Sequence, residues 1–584
     1  MFLNMNKKLL FGILYFSFFT LAIKAQISFS ENSSLLGITD NYGTIPGGFG
    51  GGISFCDFDN DGWDDITFST ASGNTVKFFK NNSGTFSEVT LGGVALDSQE
   101  SRQVIWIDYD NDGDKDLFVA NLEGSNKLYK NNGSFSFTDE TAAAGFLTTT
   151  QYTIGCSWGD YNNDGYLDAF LCFRDPPESN PNKLFLNNGD GTFSDVTAAA
   201  GLDNTGGHLS FCSSFFDYDN DGWQDIYIAN DKSNNKNIMY HNNGDGTFTD
   251  TSVSTGTDLA IDAMSTTICD YDNDGDLDIY VTNTFAGNVF LQNNGDSTFT
   301  DIAASNGTLM ESIAWGSVFL DADNDMDSDL YVSGMHTDSS PYLPSAFYEN
   351  DGSGMFSIPS SAGFDNDDAI SFSNAIGDID NDGYADIAVT NFSPRNHFLF
   401  SNNSNSNNYL KVKLEGTASN KDGIGSWIQV YIDGVPQNRY TLAGEGYTSQ
   451  NSNFEFFGLG SETLVDSIKI TWLSGTVDIL YDVSVNQSLT IIEGSSLSVE
   501  DLAETSFNIY PNPSDNGKYQ IKLYSFDRSE PYYISVFDTL GRKLISRKIN
   551  SIEDEINISN YKAGIYFLKV SSGERSVIKK LMKN

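Results

Sequence analysis

Cations are scarce in this chain of 584 residues. Its 32 Lys and Arg stand against 79 Asp and Glu, a net charge of −47. That balance excludes nucleic acid and anionic membrane surfaces as partners, because both demand a positive face. Histidine is nearly missing, with four in all, and neither an HExxH zinc motif nor a phosphate-cradling glycine loop is present. Five cysteines are too few for a disulfide framework at this size. Long apolar runs are absent apart from LLFGILYFSFFTLAI near the start. That run follows Lys7 and Lys8 and is closed by the small residue Ala25, so residues 1–25 read as a cleaved export signal rather than a transmembrane anchor.

What the chain has instead is aspartate, arranged in seven copies of one nonapeptide: DFDNDGWDD, DYDNDGDKD, DYNNDGYLD, DYDNDGWQD, DYDNDGDLD, DADNDMDSD and DIDNDGYAD. They start 51 to 57 residues apart, at Asp57, Asp108, Asp160, Asp217, Asp270, Asp321 and Asp378, and are numbered loops 1 to 7 below. Carboxylates at positions 1, 3, 5 and 9, with a backbone carbonyl at 7 and glycine at the turn, form the oxygen set that a hard cation such as Ca²⁺ takes. The candidate ligands are Asp57, Asp59, Asp61 and Asp65 in loop 1; Asp108, Asp110, Asp112 and Asp116 in loop 2; Asp160, Asn162, Asp164 and Asp168 in loop 3. They continue with Asp217, Asp219, Asp221 and Asp225 in loop 4; Asp270, Asp272, Asp274 and Asp278 in loop 5. Loop 6 offers Asp321, Asp323, Asp325 and Asp329, and loop 7 offers Asp378, Asp380, Asp382 and Asp386. The cofactor expected is therefore Ca²⁺, up to seven ions. Loop 3 has lost one charge at Asn162, and loop 6 has Met326 where the turn wants glycine, a side chain at positive φ costing about 1 kcal/mol. These two loops are expected to empty first.

An EF-hand opens the same way but needs Glu at position 12. Here that position holds Phe68, Val119, Leu171, Ile228, Val281, Val332 and Val389. The residues after each loop alternate as strands do, and a repeat of about 50 residues fits propeller blades of four strands. Each repeat continues into an Asn/Gly-rich hairpin, from Lys80, Lys130, Leu186, His241, Gln292 and Glu349, and then into an F-[ST] segment. An extra copy of that segment precedes loop 1 at Phe29, whereas nothing comparable follows Asn402. The N-terminal strand is thus expected to complete the last blade and close the ring. Cys156 and Cys172, equidistant from Asp164, are placed either to pair across the hairpin or to serve as small buried hydrophobes.

These repeats, which span residues 26–404, resemble FG-GAP/VCBS repeats, the calcium-loop blades also found in integrin α-subunit propellers. The resemblance implies an all-β fold, a seven-bladed β-propeller with calcium loops. Residues 405–495 form a small β-sandwich-like unit by their alternation. Its Asp422-Gly423-Ile424-Gly425, Tyr447-Thr448-Ser449-Gln450 and Phe457-Gly458-Leu459-Gly460 resemble the ASPIC/UnbV domain of proteins similar to cartilage acidic protein, with Phe456 where many members carry His. Gly-rich turns and a buried Gln450 give these motifs a structural account. Residues 505–584 read as a C-terminal β-sandwich. Tyr510-Pro511-Asn512-Pro513, Gly541-Arg542, Ala563-Gly564-Ile565-Tyr566 and Lys579-Lys580 resemble a type IX secretion C-terminal sorting domain. That resemblance implies the type IX secretion machinery as a partner and a secreted or outer cell-surface location.

The function expected is a monomeric calcium-binding module, without transmembrane anchor, for adhesion to extracellular glycan or protein ligands. The alternative is a calcium-dependent polysaccharide lyase or hydrolase with its site at the propeller channel or on the connecting loops. Trp63, Trp223 and Tyr384, inside the acidic loops, are positioned to stack on sugars or to cover the neighbouring blade.

Overall fold

The computed structural model describes residues 27–43, 48–94, 98–174, 181–202, 209–335, 342–364, 367–403, 406–496, 507–523, 532–539, 541–549, 551, 553–572 and 575–584. The export signal at 1–25 lies outside the described residues, as do His208 and His336. No helix among the described residues is long and apolar enough to cross a membrane.

Seven sheets, each of four antiparallel strands from the repeats, make the blades. In blade 1 the strands are Ile53–Cys56, Asp65–Phe68, Lys77–Asn81 and Phe86–Val89, with the acidic loop joining the first two. The first strands of neighbouring blades pack against one another around the axis. First and second strands are mostly buried, Thr153–Gly159 and Asp168–Phe173 along their whole length. Each blade is covered on both faces by its neighbours, which is why these strands read as continuous apolar runs. The outermost strands bury only their leading aromatic, Phe137, Phe193, Phe248 or Phe299.

Ring closure is as the repeat stagger predicts. Phe29–Glu31 pairs antiparallel with Phe398–Asn402, placing Phe29 opposite Asn402. Rim hydrogen bonds run from blade to blade: Phe193 N donates to Ala144 O at 2.7 Å, Phe248 N to Ala200 O at 2.9 Å, and the closing strand's Phe29 N to Ala362 O at 2.8 Å. The five cysteines are free. Cys156 stands opposite Leu171, not Cys172. It packs into the cluster between blades 2 and 3, while Cys172 packs into the cluster between blades 3 and 4. The two thiols lie on opposite faces of one sheet, so the small-hydrophobe reading holds and the disulfide does not form.

The second domain is a sandwich. One sheet holds Asn408–Glu415, Glu455–Gly460 and Gln487–Ile492, and the other Trp427–Ile432, Val435–Tyr440, Leu464–Thr471 and Val477–Ser484. Leu410, Ile428, Phe457, Ile468 and Trp472 fill the space between them. The tail is a separate sandwich with its own core around Tyr519, Ile534 and Leu568.

A ring of acidic loops beneath a docked domain

All seven loops share one set of hydrogen bonds, except that in loop 2 Asp116 Oδ2 lacks its position-2 donor. In loop 1, Asp57 accepts from Asp61 N at 3.0 Å and Gly62 N at 2.9 Å, while Asp61 accepts from Trp63 N at 3.1 Å. Asp65 accepts from Phe58 N at 3.1 Å and Asn81 N at 2.8 Å, tying the loop's end to its start and to the hairpin. Position 4 is asparagine in every copy and left-handed in every copy, from Asn60 at φ 56° to Asn381 at 57°. Met326 shares the left-handed region with the six glycines at position 6, at φ 85°.

The carboxylates converge. Asp57, Asp59 and Asp61 each offer an oxygen within 4.8 Å of the others, as do Asp108, Asp110 and Asp116; Asp217, Asp219 and Asp221; and Asp270, Asp272 and Asp278. Position 9 is buried throughout, Asp65, Asp116, Asp168 and Asp225 completely. Burial pushes the Asp65 carboxyl up to about 8 and Asp116 to about 9. Burial likewise raises Asp108, Asp160, Asp270 and Asp321 to about 7, and lifts Asp168, Asp278, Asp329 and Asp386. A carboxylate removed from water without a counter-charge is held high in this way. Asp116 Oδ2, fully buried, has no hydrogen-bond partner, nor do the Oδ1 atoms of Asp59, Asp110 and Asp219. Buried oxygens without donors, gathered on a tight turn, fit a hard cation.

Several participants are not evident from the sequence. Hairpin asparagines that read as turn formers also clamp blades: Asn187 Nδ2 donates to Tyr109 O, Asn242 to Tyr161 O and Asn293 to Tyr218 O, each at 2.8 Å, and Asn81 to Ile379 O at 2.9 Å. Position-4 asparagines link successive loops. Asn111 donates to Gly165 O at 2.8 Å and Asn163 to Gly222 O at 3.0 Å; Asn381 closes the circle on Gly62 O at 3.0 Å. The one signal for these roles is their recurrence within the chain's own repeats. His241, which sequence treats as interchangeable with Lys, Leu, Gln and Glu, places Nδ1 3.5 Å from Asp219 and 3.3 Å from Asp225. The nearby Asp225 carboxylate raises it to about 9. His397 is structural, stacked on Phe68 at 4.2 Å and pushed down to about 3 by burial.

Two of the three loop aromatics take up other contacts. Trp223 packs against Gly244 in the hairpin of its own blade, and Tyr384 is buried with its hydroxyl donating to Asn407 O at 2.7 Å. One G-x-S-x-G string, Gly155-Cys156-Ser157-Trp158-Gly159, lies within a fully buried inner strand, where Ser157 and Ser213 hydroxyls meet at 2.9 Å. It is no strand-to-helix elbow and exposes no nucleophile.

The second domain sits on the ring of loops. Asp108 N donates to Asp422 at 3.0 Å, and Lys115 pairs with the same carboxylate. Asn438 Nδ2 donates to Asp270 at 2.8 Å, and Gly460 N to Asn324 O at 2.8 Å. Lys411, fully enclosed, reaches Asp378 at 2.7 Å. Residues 443–452 descend into the channel between the inner strands. Ser449–Gln450 adds a parallel strand to Ile53–Ser54. The Gln450 amide both accepts from Trp106 N and donates to Trp106 O, at 2.8 Å each. Trp158 N donates to Ala443 O, Gly446 N to Thr266 O and Ile376 N to Asn451, so the plug touches blades 2, 3, 5 and 7 as well as blade 1. Tyr447 stands among Phe211 and Trp315, with ring centroids 5.8 and 5.0 Å away. Phe456 packs into the cluster between blades 6 and 7. The three motifs of this domain are therefore docking elements. Gln450 is buried, as expected, but against the propeller.

Comparison with known proteins follows the same division. The family model described as FG-GAP-like repeat matches residues 57–119, 108–171, 169–228, 217–281, 270–332 and 321–389. Those for ASPIC and UnbV and for a secretion system C-terminal sorting domain match 416–498 and 508–584. Cartilage acidic protein 1 of Homo sapiens is 26% identical over 336 residues, 52% of this chain and 49% of the relative, so the chain spans about half that relative's length. The Xenopus tropicalis protein of the same name is 24% identical over 540 residues, 82% of this chain and 76% of the relative. Among solved structures, the extracellular domain of a putative one component system from B. thetaiotaomicron aligns with a TM-score of 0.38 at 12% identity, over 96% of this chain and 59% of that one. The sorting domain marks the chain for export to the cell surface or secretion.

Proposed function

The chain belongs to the FG-GAP-like repeat family, and we propose that it is an exported calcium-binding propeller acting as a binding or adhesion module for extracellular glycan or protein ligands. The observation that carries the calcium reading is the set of buried, unpartnered carboxylate oxygens in the loops, above all Asp116 Oδ2. Each ion would take the carboxylates at positions 1, 3, 5 and 9 and the carbonyl at 7, fixing the turn between the two inner strands of its blade.

The docked domain divides the labour of the two faces. It occupies the loop face and fills the channel, which argues against a catalytic centre there. On the opposite face the connections between second and third strands vary from three residues at 124–126 to eleven at 335–345. Variable connections on a rigid scaffold are where recognition is expected. The type IX machinery remains the partner proposed for the tail, and the chain is proposed to act as a monomer.

The test is a glycan array combined with a reducing-sugar assay on the secreted chain, with and without calcium. Retention of a glycan without turnover is expected and would remove the enzyme alternative; release of new reducing ends would overturn the binding-only reading.

A further inference from the structure

The residue just before the hairpin asparagine differs in every blade but two. It is Lys80, Lys130, Leu186, His241, Gln292, Glu349 and Ser401 in blades 1 to 7. The neighbouring asparagine amide is fixed to the position-9 carboxylate, by Asn81 N to Asp65 at 2.8 Å and Asn131 N to Asp116 at 2.7 Å. The residue before it is thereby set beside positions 3 and 5. In loop 1 the Lys80 ammonium pairs with Asp59 and lies 2.7 Å from Asp61. In loop 2 the Lys130 ammonium pairs with Asp110 and lies 3.0 Å from Asp112. In loop 5 the same slot gives only a neutral amide, Gln292 Nε2 at 2.9 Å from Asp272.

We propose that Lys80 and Lys130 are tethered counter-ions that lower the charge of loops 1 and 2, making them weaker calcium sites than loop 5, whose slot holds a neutral amide. The inference rests on the calcium reading above. An ammonium offers three donors and one positive charge; it sits on the Oδ2 atoms at positions 3 and 5, while the Oδ1 atoms of Asp59 and Asp110 stay without a donor. A calcium ion entering either loop meets a site whose charge the ammonium has reduced by one. Both lysines keep part of their side chain in solvent, 24% and 32% exposed, so they can swing out at high calcium. The effect is a weakened site rather than an abolished one. Glu349 in loop 6 adds a carboxylate to its slot. Loops 1 and 2 are then expected to empty ahead of loop 5, beside loops 3 and 6, which sequence alone ranks weakest.

Calorimetric titration of the full chain should resolve tight sites and others weaker by about tenfold, the equivalent of losing one favourable contact. Lys80→Gln with Lys130→Gln should move two sites from the weaker class to the tight one. Trp63 and Trp223 stand at position 7 of loops 1 and 4, so in a Trp223→Phe background tryptophan-sensitised terbium emission reports loop 1. It should develop at lower terbium when Lys80→Gln is added to that background and vanish when Trp63→Phe is added as well. Seven equal sites in the wild type, or unchanged titrations in the variants with melting curves intact, would overturn the inference and leave the calcium reading standing. No bound ion in either protein at millimolar calcium would overturn both.

Discussion

Loops 1 and 6 share a sequence pattern and a hydrogen-bond scheme yet live in opposite surroundings. In loop 1 nothing lies within 4 Å of where a Cβ on Gly62 would stand, and Asn60 and Asp61 are exposed. In loop 6 Asp321, Asp323 and Asn324 are buried under Phe457-Gly458-Leu459-Gly460 of the second domain. A Cβ on Gly458 would fall 2.0 Å from Asp321 Oδ2 and 2.4 Å from Asn324 Cα. One nonapeptide thus does two jobs, holding a charge cluster open to solvent in one blade and forming a docking floor in another. The exception at position 6 follows from the second job. Met326 accepts a left-handed backbone and packs its side chain against the second domain's core.

The largest effect should come from removing the ions that both loops are proposed to share. Binding to the folded form alone stabilises by about 2.7 kcal/mol per site at a hundredfold excess over Kd. Chelation should therefore lower the melting temperature of the propeller markedly, and Mg²⁺ should restore less than Ca²⁺ because it demands a tighter octahedron. Hydrogen exchange sharpens the comparison: after chelation Glu455–Gly460, which rests on loop 6, should lose protection along with residues 57–65. A melting temperature unmoved by chelation in scanning calorimetry would break the shared-ion premise.

How far all this is legible in the sequence depends on the range of the interaction. The loops are legible because each ligand set lies within nine residues, and the ring closure because Phe29 supplies a repeat fragment out of place. The clamps made by Asn187 and Asn242 are hidden, since Asn-Gly already has a sufficient local reason in the turn. The plug is hidden more deeply. Ser449 and Gln450 pair with Ile53 and Ser54 across nearly 400 residues over two positions only, too short a run to leave a pattern. The slot lysines belong to a strand and show their role only when its register places them over a loop.

A middle-sized effect should separate the two loops by mutation. Gly458→Val forces a branched side chain into the backbone of loop 6, and overpacking of this kind costs about 1–3 kcal/mol, occasionally more. Gly62→Ala in loop 1 meets open space and bears only the positive-φ cost at 89°, on the order of 1 kcal/mol. Denaturant midpoints should rank wild type above Gly62→Ala above Gly458→Val, and limited proteolysis should release the second domain only in the last. Equal midpoints for the two variants would mean that loop 6 is not a docking floor.

The smallest effect concerns Met326 itself. Replacing it by glycine removes the left-handed penalty of about 1 kcal/mol, but glycine also gives the unfolded chain about 0.5–1 kcal/mol of extra freedom. These two terms nearly cancel. What remains is the contact with the second domain, where the side chain reaches Gly460 and the cluster around Leu459. Partial burial of a methionine contributes about 1 kcal/mol at the usual area coefficient. Met326→Gly should therefore be less stable than wild type by roughly that amount. Met326→Ala keeps the backbone penalty and loses the same packing, so it should not exceed the glycine variant in stability. Paired denaturation curves on the calcium-loaded chain measure both. A glycine variant more stable than wild type would show that the methionine contributes nothing to docking, and loop 6 would then differ from loop 1 only in being covered.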